Sequence, residues 1–185
     1  MLEALLTSTG LVALAEVGDK TQLLSLTLAA RYRKPWPIIA GILVATLANH
    51  ALAAIAGAWL ASLLTPAVLR WILGLGFVAL GAWLLVPDKA EDVQTKPRYG
   101  VFATTLVLFF IAEMGDKTQL ATVALSAQFQ SWKVVTLGTT LGMLLANVPV
   151  IFLGAAFANR LPMRRVQLVA AGLFALLGLY ILLFN

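Results

Sequence analysis

A charged hexapeptide of nearly constant sequence occurs twice in this chain, each time inside a long apolar stretch. Residues 16–21 read Glu-Val-Gly-Asp-Lys-Thr and residues 113–118 read Glu-Met-Gly-Asp-Lys-Thr, and a Gln-Leu pair follows each copy. The copies begin 97 positions apart. Charged side chains near the centre of a membrane span are costly and seldom occur there without a function. The duplication therefore suggests one site to which each half of the chain contributes one copy.

The composition indicates a membrane protein. Hydrophobic residues make up 61% of the chain and charged residues 11%, whereas soluble domains contain roughly 45–50% and about 25%. The apolar runs are continuous rather than alternating, which favours helices over a transmembrane barrel. We therefore predict an all-α integral membrane protein with six transmembrane helices of about 20 residues or more. The predicted spans are 5–30, 36–61, 67–86, 100–127, 132–158 and 164–184.

The six predicted spans divide into two equal groups. Residues 1–86 and 100–185 each contain three spans and one hexapeptide, and the polar segment 87–99 reads as a cytoplasmic linker. Because three is an odd number, the second half enters the membrane from the opposite side. We predict two inverted three-helix repeats, an arrangement that many secondary transporters use with a site at mid-depth. Channels also contain inverted repeats.

The distribution of lysine and arginine predicts the orientation. Nine basic residues follow predicted spans one, three and five, and two lie on the alternate side. Basic loops favour the cytoplasm, so both termini should face away from it. The nine are Arg31, Arg33, Lys34, Lys89, Lys96, Arg98, Arg160, Arg164 and Arg165, and the two are Arg70 and Lys133.

The charged side chains of each copy would share one helix face, because residues three or four positions apart lie together on a helix. Three charges at the centre of a span would cost about 9 kcal/mol against lipid, so we expect these faces to turn inward and meet. The cluster would contain four carboxylates and two lysines: Glu16, Asp19, Glu113 and Asp116 with Lys20 and Lys117.

Such a cluster suits a divalent cation. Its formal charge of about −2 would be neutralised by one divalent ion or by two protons, and carboxylate oxygens are ligands of Mg²⁺, Ca²⁺ and Mn²⁺. The chain has no cysteine and one histidine, so a thiolate or histidine cluster for Zn²⁺ or Cu²⁺ is absent. The amide oxygens of Gln22 and Gln119 are further candidate ligands. Competition of metal and protons for the same carboxylates is the minimal chemistry of a cation/proton antiporter.

A purely structural ion-pair network is the alternative interpretation of the charges. Glu16 would then pair with Lys20, and Glu113 with Lys117, along their own helices. This interpretation leaves Asp19 and Asp116 unexplained. The two lysines are otherwise expected to act as internal counterions, with a direct part in proton release as the alternative.

Other polar and glycine residues each allow two interpretations. The glycines of the motif either break the helix and expose carbonyls to an ion or permit close helix packing. The threonines bond to helix carbonyls or lie beside the ion, and mid-span asparagines bond across helices or line a pathway. The single histidine, His50, is expected to be a satisfied polar group, with a proton-carrying role as the alternative. The paired residues are Gly18 and Gly115, Thr21 and Thr118, and Asn49 and Asn147.

The paired Glu-x-Gly-Asp-Lys-Thr segments resemble the motifs of the cation/proton exchanger family that includes the Golgi calcium/manganese exchangers and the bacterial manganese exporters. The resemblance covers the whole chain, as two three-helix repeats with a short central linker. It implies the exchange of Mn²⁺ or Ca²⁺ for protons, with the four acidic motif residues at the site and Lys20, Thr21, Lys117 and Thr118 completing the motifs. The small size is similar to the prokaryotic branch, which is associated with manganese efflux, so Mn²⁺ ranks first and a bacterial inner membrane is implied.

We therefore predict a secondary transporter that exports a divalent cation in exchange for protons and uses no cofactor. Its partners would be the metal ion, protons and the lipid bilayer, and not nucleic acid. A passive divalent-cation channel is the alternative, since acidic rings also select cations, and a non-transporting scaffold is a third possibility. An enzyme is not expected, because the motif lacks a nucleophile–base pair and the loops are short.

Overall fold

The computed structural model describes residues 1–86, 100–154 and 162–184, so the predicted linker 87–99 lies outside the described residues. Within those three ranges the chain forms eight α-helices and no strand, which confirms the all-α class. The helices are α1 (Leu2–Glu16), α2 (Lys20–Tyr32), α3 (Pro35–Leu63), α4 (Pro66–Leu84), α5 (Gly100–Glu113), α6 (Lys117–Phe129), α7 (Trp132–Leu153) and α8 (Met163–Phe184).

Proline and left-handed residues mark several helix ends. Pro35 and Pro66 begin α3 and α4, positions where the missing proline N–H costs no helical hydrogen bond. Arg33 ends α2 with a φ of 51°, and Gln130 ends α6 with a φ of 48°. Each donates its backbone N–H to a carbonyl four residues earlier, as left-handed helix caps do. These two caps are 97 residues apart, the offset of the hexapeptides.

Four helices are long and apolar enough to cross a membrane by length and composition, namely α3, α4, α7 and α8. They correspond to predicted spans two, three, five and six. The predicted continuous helices over 5–30 and 100–127 are wrong, because each is interrupted inside its hexapeptide. The interruption replaces the expected helical stripe of charges with charges at helix ends. Together the described helices make a membrane protein, with many large apolar side chains exposed and polar ones buried.

The two halves interlock through their helix contacts. The main partner of α1 is α7, and the main partner of α5 is α3, so the first helix of each half packs against a helix of the other half. A further extensive contact joins α4 to α8. The hexapeptides lie at the inner ends of α1 and α5, and this exchange of partners brings them together between the halves.

Glycines let these helices approach closely. A Cβ atom on Gly41 of α3 would lie 2.9 Å from the Phe102 carbonyl oxygen of α5. A Cβ atom on Gly138 of α7 would lie 2.9 Å from the Leu5 carbonyl oxygen of α1. Gly138 follows Gly41 by 97 residues, and Phe102 follows Leu5 by 97 residues, so the two contacts are equivalent in the two halves. Small residues at such crossings allow the close backbone approach on which helix association in membranes relies.

Candidate cation site

The first hexapeptide folds into a short break between two helices. Glu16 is the last residue of α1, and Asp19 is the N-cap of α2. Between them Gly18 adopts a φ of +86°, which side chains disfavour and glycine does not. The Gln22 Oε1 atom accepts a hydrogen bond of 2.9 Å from the Gly18 N–H. The break therefore has its own internal support and places two carboxylates at adjoining helix ends.

The second hexapeptide repeats this local structure. Glu113 ends α5, Asp116 is the N-cap of α6, and Gly115 has a φ of +75°. The Gln119 Oε1 atom accepts a hydrogen bond of 2.7 Å from the Gly115 N–H. Of the two interpretations of the motif glycines, the helix break is therefore the one observed, although Gly18 also approaches Met163 closely.

Carboxylates from both copies converge at the breaks. Glu16, Asp19 and Asp116 are buried and offer oxygen atoms that all lie within 4.8 Å of one another. The Lys20 Nζ atom lies 3.3 Å from Asp116 Oδ1, so this lysine pairs with the opposite copy rather than with Glu16 of its own. Three carboxylates at this spacing repel one another unless a cation or protons neutralise them.

Both motif threonines bond to a glutamate of their own copy. Thr21 Oγ1 donates a 2.6 Å hydrogen bond to Glu16 Oε2, and Thr118 Oγ1 donates a 3.3 Å hydrogen bond to Glu113 Oε2. The threonines therefore orient the carboxylates across the break. Thr21 and Thr118 thus contact the carboxylates, and their place beside a bound ion stays a prediction.

The remaining carboxylate, Glu113, is fully buried but is not one of the three carboxylates whose oxygens lie within 4.8 Å of one another. Its Oε2 atom lies 3.7 Å from His50 Nε2. The prediction that His50 is a satisfied polar group is wrong among the described residues, where neither ring nitrogen has a hydrogen-bond partner. A lone histidine with no duplicate in the other half carries no spacing signal that could have shown this. The contact with Glu113 is visible only once α3 is packed against α5.

Several oxygens of the cluster are buried without a hydrogen-bond donor in the part of the chain that the structure describes. They include Glu16 Oε1, Glu113 Oε1 and Asp116 Oδ2. A buried polar atom without a partner is costly, and a buried carboxylate oxygen is best satisfied by a proton or a cation. The donor set fits a hard divalent cation.

The two lysines occupy different surroundings. Whereas Lys20 reaches Asp116, Lys117 Nζ donates a 2.9 Å hydrogen bond to the Val86 carbonyl and lies 5.9 Å from the centre of the Trp83 ring. Among these contacts, Lys20 faces a carboxylate of the opposite copy, and Lys117 reaches the end of α4. The prediction that both ammonium groups belong to one cluster with the four carboxylates stays a prediction.

Amide side chains hold the helices around the site. Gln22 Nε2 donates to the Ala146 carbonyl at 3.0 Å, and Asn147 Oδ1 accepts from Ser25 at 2.6 Å, which ties α2 to α7. Asn49 Nδ2 donates to the Phe110 carbonyl at 2.9 Å, which ties α3 to α5. The asparagines thus bond across helices, one of the two interpretations given above.

Comparison with known proteins identifies the family. A model of the family described as Divalent cation/proton antiporter GDT1 matches residues 4–92 and 101–185. The chain belongs to the GDT1 family. Each matched segment contains one hexapeptide, so the family match covers both copies. GDT1 proteins are transporters, and the prediction that the chain is a transporter and not an enzyme is thereby confirmed.

Similar proteins occur in bacteria and plants. A Vibrio cholerae protein named Putative manganese exporter is 53% identical over 171 residues, covering 91% of this chain and 84% of the relative. A GDT1-like protein of Synechocystis is 29% identical over 198 residues, covering 95% of each. GDT1-like protein 3 of Arabidopsis thaliana is 25% identical over 203 residues, covering 94% of this chain and 68% of the relative. No solved structure matches.

Proposed function

We propose that this GDT1 protein exports a divalent cation, Mn²⁺ first and Ca²⁺ second, in exchange for protons at a mid-membrane site of four carboxylates. The observation that carries the proposal is the approach of Glu16, Asp19 and Asp116, whose oxygens lie within 4.8 Å of one another although they come from two distant segments. We include Glu113 as the fourth carboxylate because it is fully buried and ends α5 at the second break. Neither copy alone supplies enough oxygens to surround an ion.

The exchange follows from charge balance within a buried site. A divalent cation bound by the carboxylates replaces protons that would otherwise satisfy the same oxygens, and protons arriving from the opposite side displace the cation. Lys20 offsets part of the negative charge. The oxygens of Gln22 and Gln119 each accept one backbone hydrogen bond, and a carbonyl oxygen retains a second lone pair for a cation.

The choice of Mn²⁺ over Ca²⁺ rests on similarity. The Vibrio cholerae relative, at 53% identity, bears the name of a manganese exporter, and oxygen ligands alone suit either ion. We extend that substrate to this chain. The bacterial relatives also support a bacterial inner membrane, with both termini away from the cytoplasm as the basic residues predict.

The mechanism requires two inverted repeats, 1–86 and 100–185. Matching packing supports them: the contacts of Gly41 with Phe102 and of Gly138 with Leu5 have equal distances and equal sequence offsets. In the proposed arrangement, α1 with α2 and α5 with α6 are two interrupted spans. Interrupted helices near the midplane are the usual ion sites of such transporters.

Flux into liposomes tests the proposal. Purified protein is reconstituted into proteoliposomes, and Mn²⁺ uptake is measured with and without an imposed pH gradient, with Ca²⁺ and Mg²⁺ as competitors. We expect uphill Mn²⁺ movement driven by the gradient and coupled proton counterflow. We also expect the apparent affinity for Mn²⁺ to fall as the pH on the binding side is lowered, because protons occupy the carboxylates.

Two results would contradict the antiporter. Mn²⁺ flux that only follows its own gradient, without proton counterflow, would indicate the passive channel. A protein that shows a cooperative thermal unfolding transition, and is therefore folded, but moves no divalent cation would indicate the non-transporting scaffold.

A further inference from the structure

His50 lies beside a hexapeptide carboxylate, Glu113, although it belongs to neither hexapeptide. It is in the middle of α3 and is fully buried, and its Nε2 atom lies 3.7 Å from Glu113 Oε2. The neighbouring residue Asn49 bonds to the Phe110 carbonyl, one turn before Glu113 on α5. This bond fixes α3 against α5 and so holds the imidazole beside the carboxylate.

Neither ring nitrogen of His50 has a hydrogen-bond partner among the described residues. Glu113 Oε1 and Thr46 Oγ1 are likewise buried without one, and Thr46 lies one turn before His50 on the same face of α3. Buried imidazoles normally bond through at least one nitrogen, because an unsatisfied polar atom is costly. Both the ring and the adjacent carboxylate therefore have donor atoms available for a ligand.

The spacing of these atoms suits a shared metal ion. Two donor atoms that each lie about 2.2 Å from one ion are separated by about 3 to 4.4 Å, depending on the angle between them. The 3.7 Å between His50 Nε2 and Glu113 Oε2 falls inside this interval.

The histidine is also a difference between two halves that otherwise duplicate the site. The corresponding position beside Asn147 is Val148, which carries no donor atom. The first half of the chain therefore offers an imidazole nitrogen at this position, whereas the second half offers no donor atom there.

We propose that His50 supplies an imidazole nitrogen to the transported cation beside Glu113 and thereby favours Mn²⁺ over Ca²⁺ and Mg²⁺. Ca²⁺ and Mg²⁺ take oxygen ligands, whereas imidazole is a ligand of first-row transition metals. This inference deepens the proposed function and rests on it. It assigns part of the metal selectivity to a residue outside the duplicated motif.

Pulsed electron paramagnetic resonance of bound Mn²⁺ tests the ligand directly. The protein is purified without a histidine tag and loaded with substoichiometric Mn²⁺. Since His50 is the sole histidine of the chain, an imidazole ¹⁴N coupling to the metal would come from it alone. We expect this coupling in the unaltered protein and its loss in His50→Asn. Bound Mn²⁺ that shows no imidazole coupling would overturn the inference but leave the proposed function standing.

Transport selectivity supplies the second test. His50→Val copies the residue of the other half, and His50→Asn puts an amide oxygen near the place of the nitrogen. In proteoliposomes we expect the KM for Mn²⁺ to rise by about tenfold or more in both, as loss of metal-site groups commonly does, with the KM for Ca²⁺ nearly unchanged. Val148→Leu, at the matching position, should leave the ratio of the two KM values as it is.

The outcomes separate the two proposals. An unchanged Mn²⁺-to-Ca²⁺ ratio in both His50 variants would overturn the role of His50 alone. If unaltered protein neither binds nor moves Mn²⁺, the proposed function fails and the inference falls with it. If neither variant folds, the resonance measurement on the unaltered protein still shows whether an imidazole nitrogen binds the Mn²⁺ ion.

Discussion

At the scale of single residues, the site is a set of carboxylates held in place by hydrogen bonds and an ion pair to neighbouring side chains. Thr21 and Thr118 each donate to a glutamate, and Lys20 pairs with Asp116 across the two copies. What stays unsatisfied within the described residues is one oxygen on each of Glu16, Glu113 and Asp116. Because these are buried carboxylate oxygens, a cation or a proton would both satisfy them and offset their charge.

Neutralising one carboxylate should therefore impair exchange strongly. We expect Glu16→Gln and Asp116→Asn each to weaken Mn²⁺ transport by at least about tenfold, since an amide keeps the shape and loses the charge. The exposed residue Glu3 provides the matched control, and Glu3→Gln should transport normally. Proteoliposome flux with equal protein content checks this. Normal Mn²⁺ affinity in the Glu16 variant would remove the carboxylate from the mechanism.

At the scale of elements, the break within each hexapeptide decides where the charges point. Positive φ at Gly18 and Gly115 ends one helix, and Asp19 and Asp116 begin the next as N-caps. Asp is favoured at an N-cap because its negative charge lies at the positive end of the helix dipole. The glutamine three residues further on closes each break by bonding to the glycine N–H.

The break depends on glycine for its backbone conformation. Gly115→Ala should destabilise the protein by about 1–2 kcal/mol and slow transport, because a side chain disfavours positive φ. No neighbouring atom lies within 4 Å of the added Cβ, so the effect would report conformation alone. Gly10→Ala, with equally open surroundings inside α1, is the control and should be neutral or slightly stabilising. Equal thermal stability and flux in both variants would contradict a requirement for the break.

At the scale of the whole molecule, the halves are joined by exchanged helix contacts. Packing of α1 against α7 and of α5 against α3 accompanies the convergence of carboxylates from the two breaks. The glycines at these crossings set the distance between helices, and that distance determines whether carboxylates of the two copies can reach one ion.

A larger residue at such a crossing should separate the halves. In Gly138→Val the added side chain would meet the Leu5 carbonyl and Ser8 of α1. We expect the free energy of unfolding to fall by about 1–3 kcal/mol, the typical cost of overpacking, and Mn²⁺ binding to weaken. Gly172→Val on α8, where nothing lies within 4 Å, should change neither. Thermal denaturation in detergent and Mn²⁺ titration measure the two effects. Equal thermal stability and equal Mn²⁺ binding in the two variants would contradict the claim that this helix crossing positions the carboxylates.

The proposed orientation is testable because the chain contains no cysteine. Glu3→Cys and Lys34→Cys introduce single thiols at exposed positions on the two sides of the first predicted span. In intact bacterial cells, a membrane-impermeant maleimide should label the cysteine at position 3 and should label that at position 34 only after permeabilisation. The reverse pattern would invert the predicted topology.

The sequence by itself determined the class of the molecule, the doubled motif and the identity of the carboxylates, because composition and repetition are properties of the chain. It also indicated four of the apolar helices to within a few residues; the end of the predicted span 132–158, residues 155–158, lies outside the described residues. It did not determine that the charged spans are interrupted, because the break depends on φ at Gly18 and Gly115 and on hydrogen bonds from these glycines to Gln22 and Gln119. Only the tertiary structure placed Lys20 beside Asp116, turned Lys117 toward Val86 and set His50 against Glu113. These are contacts between distant segments, and helix packing, not sequence spacing, decides them.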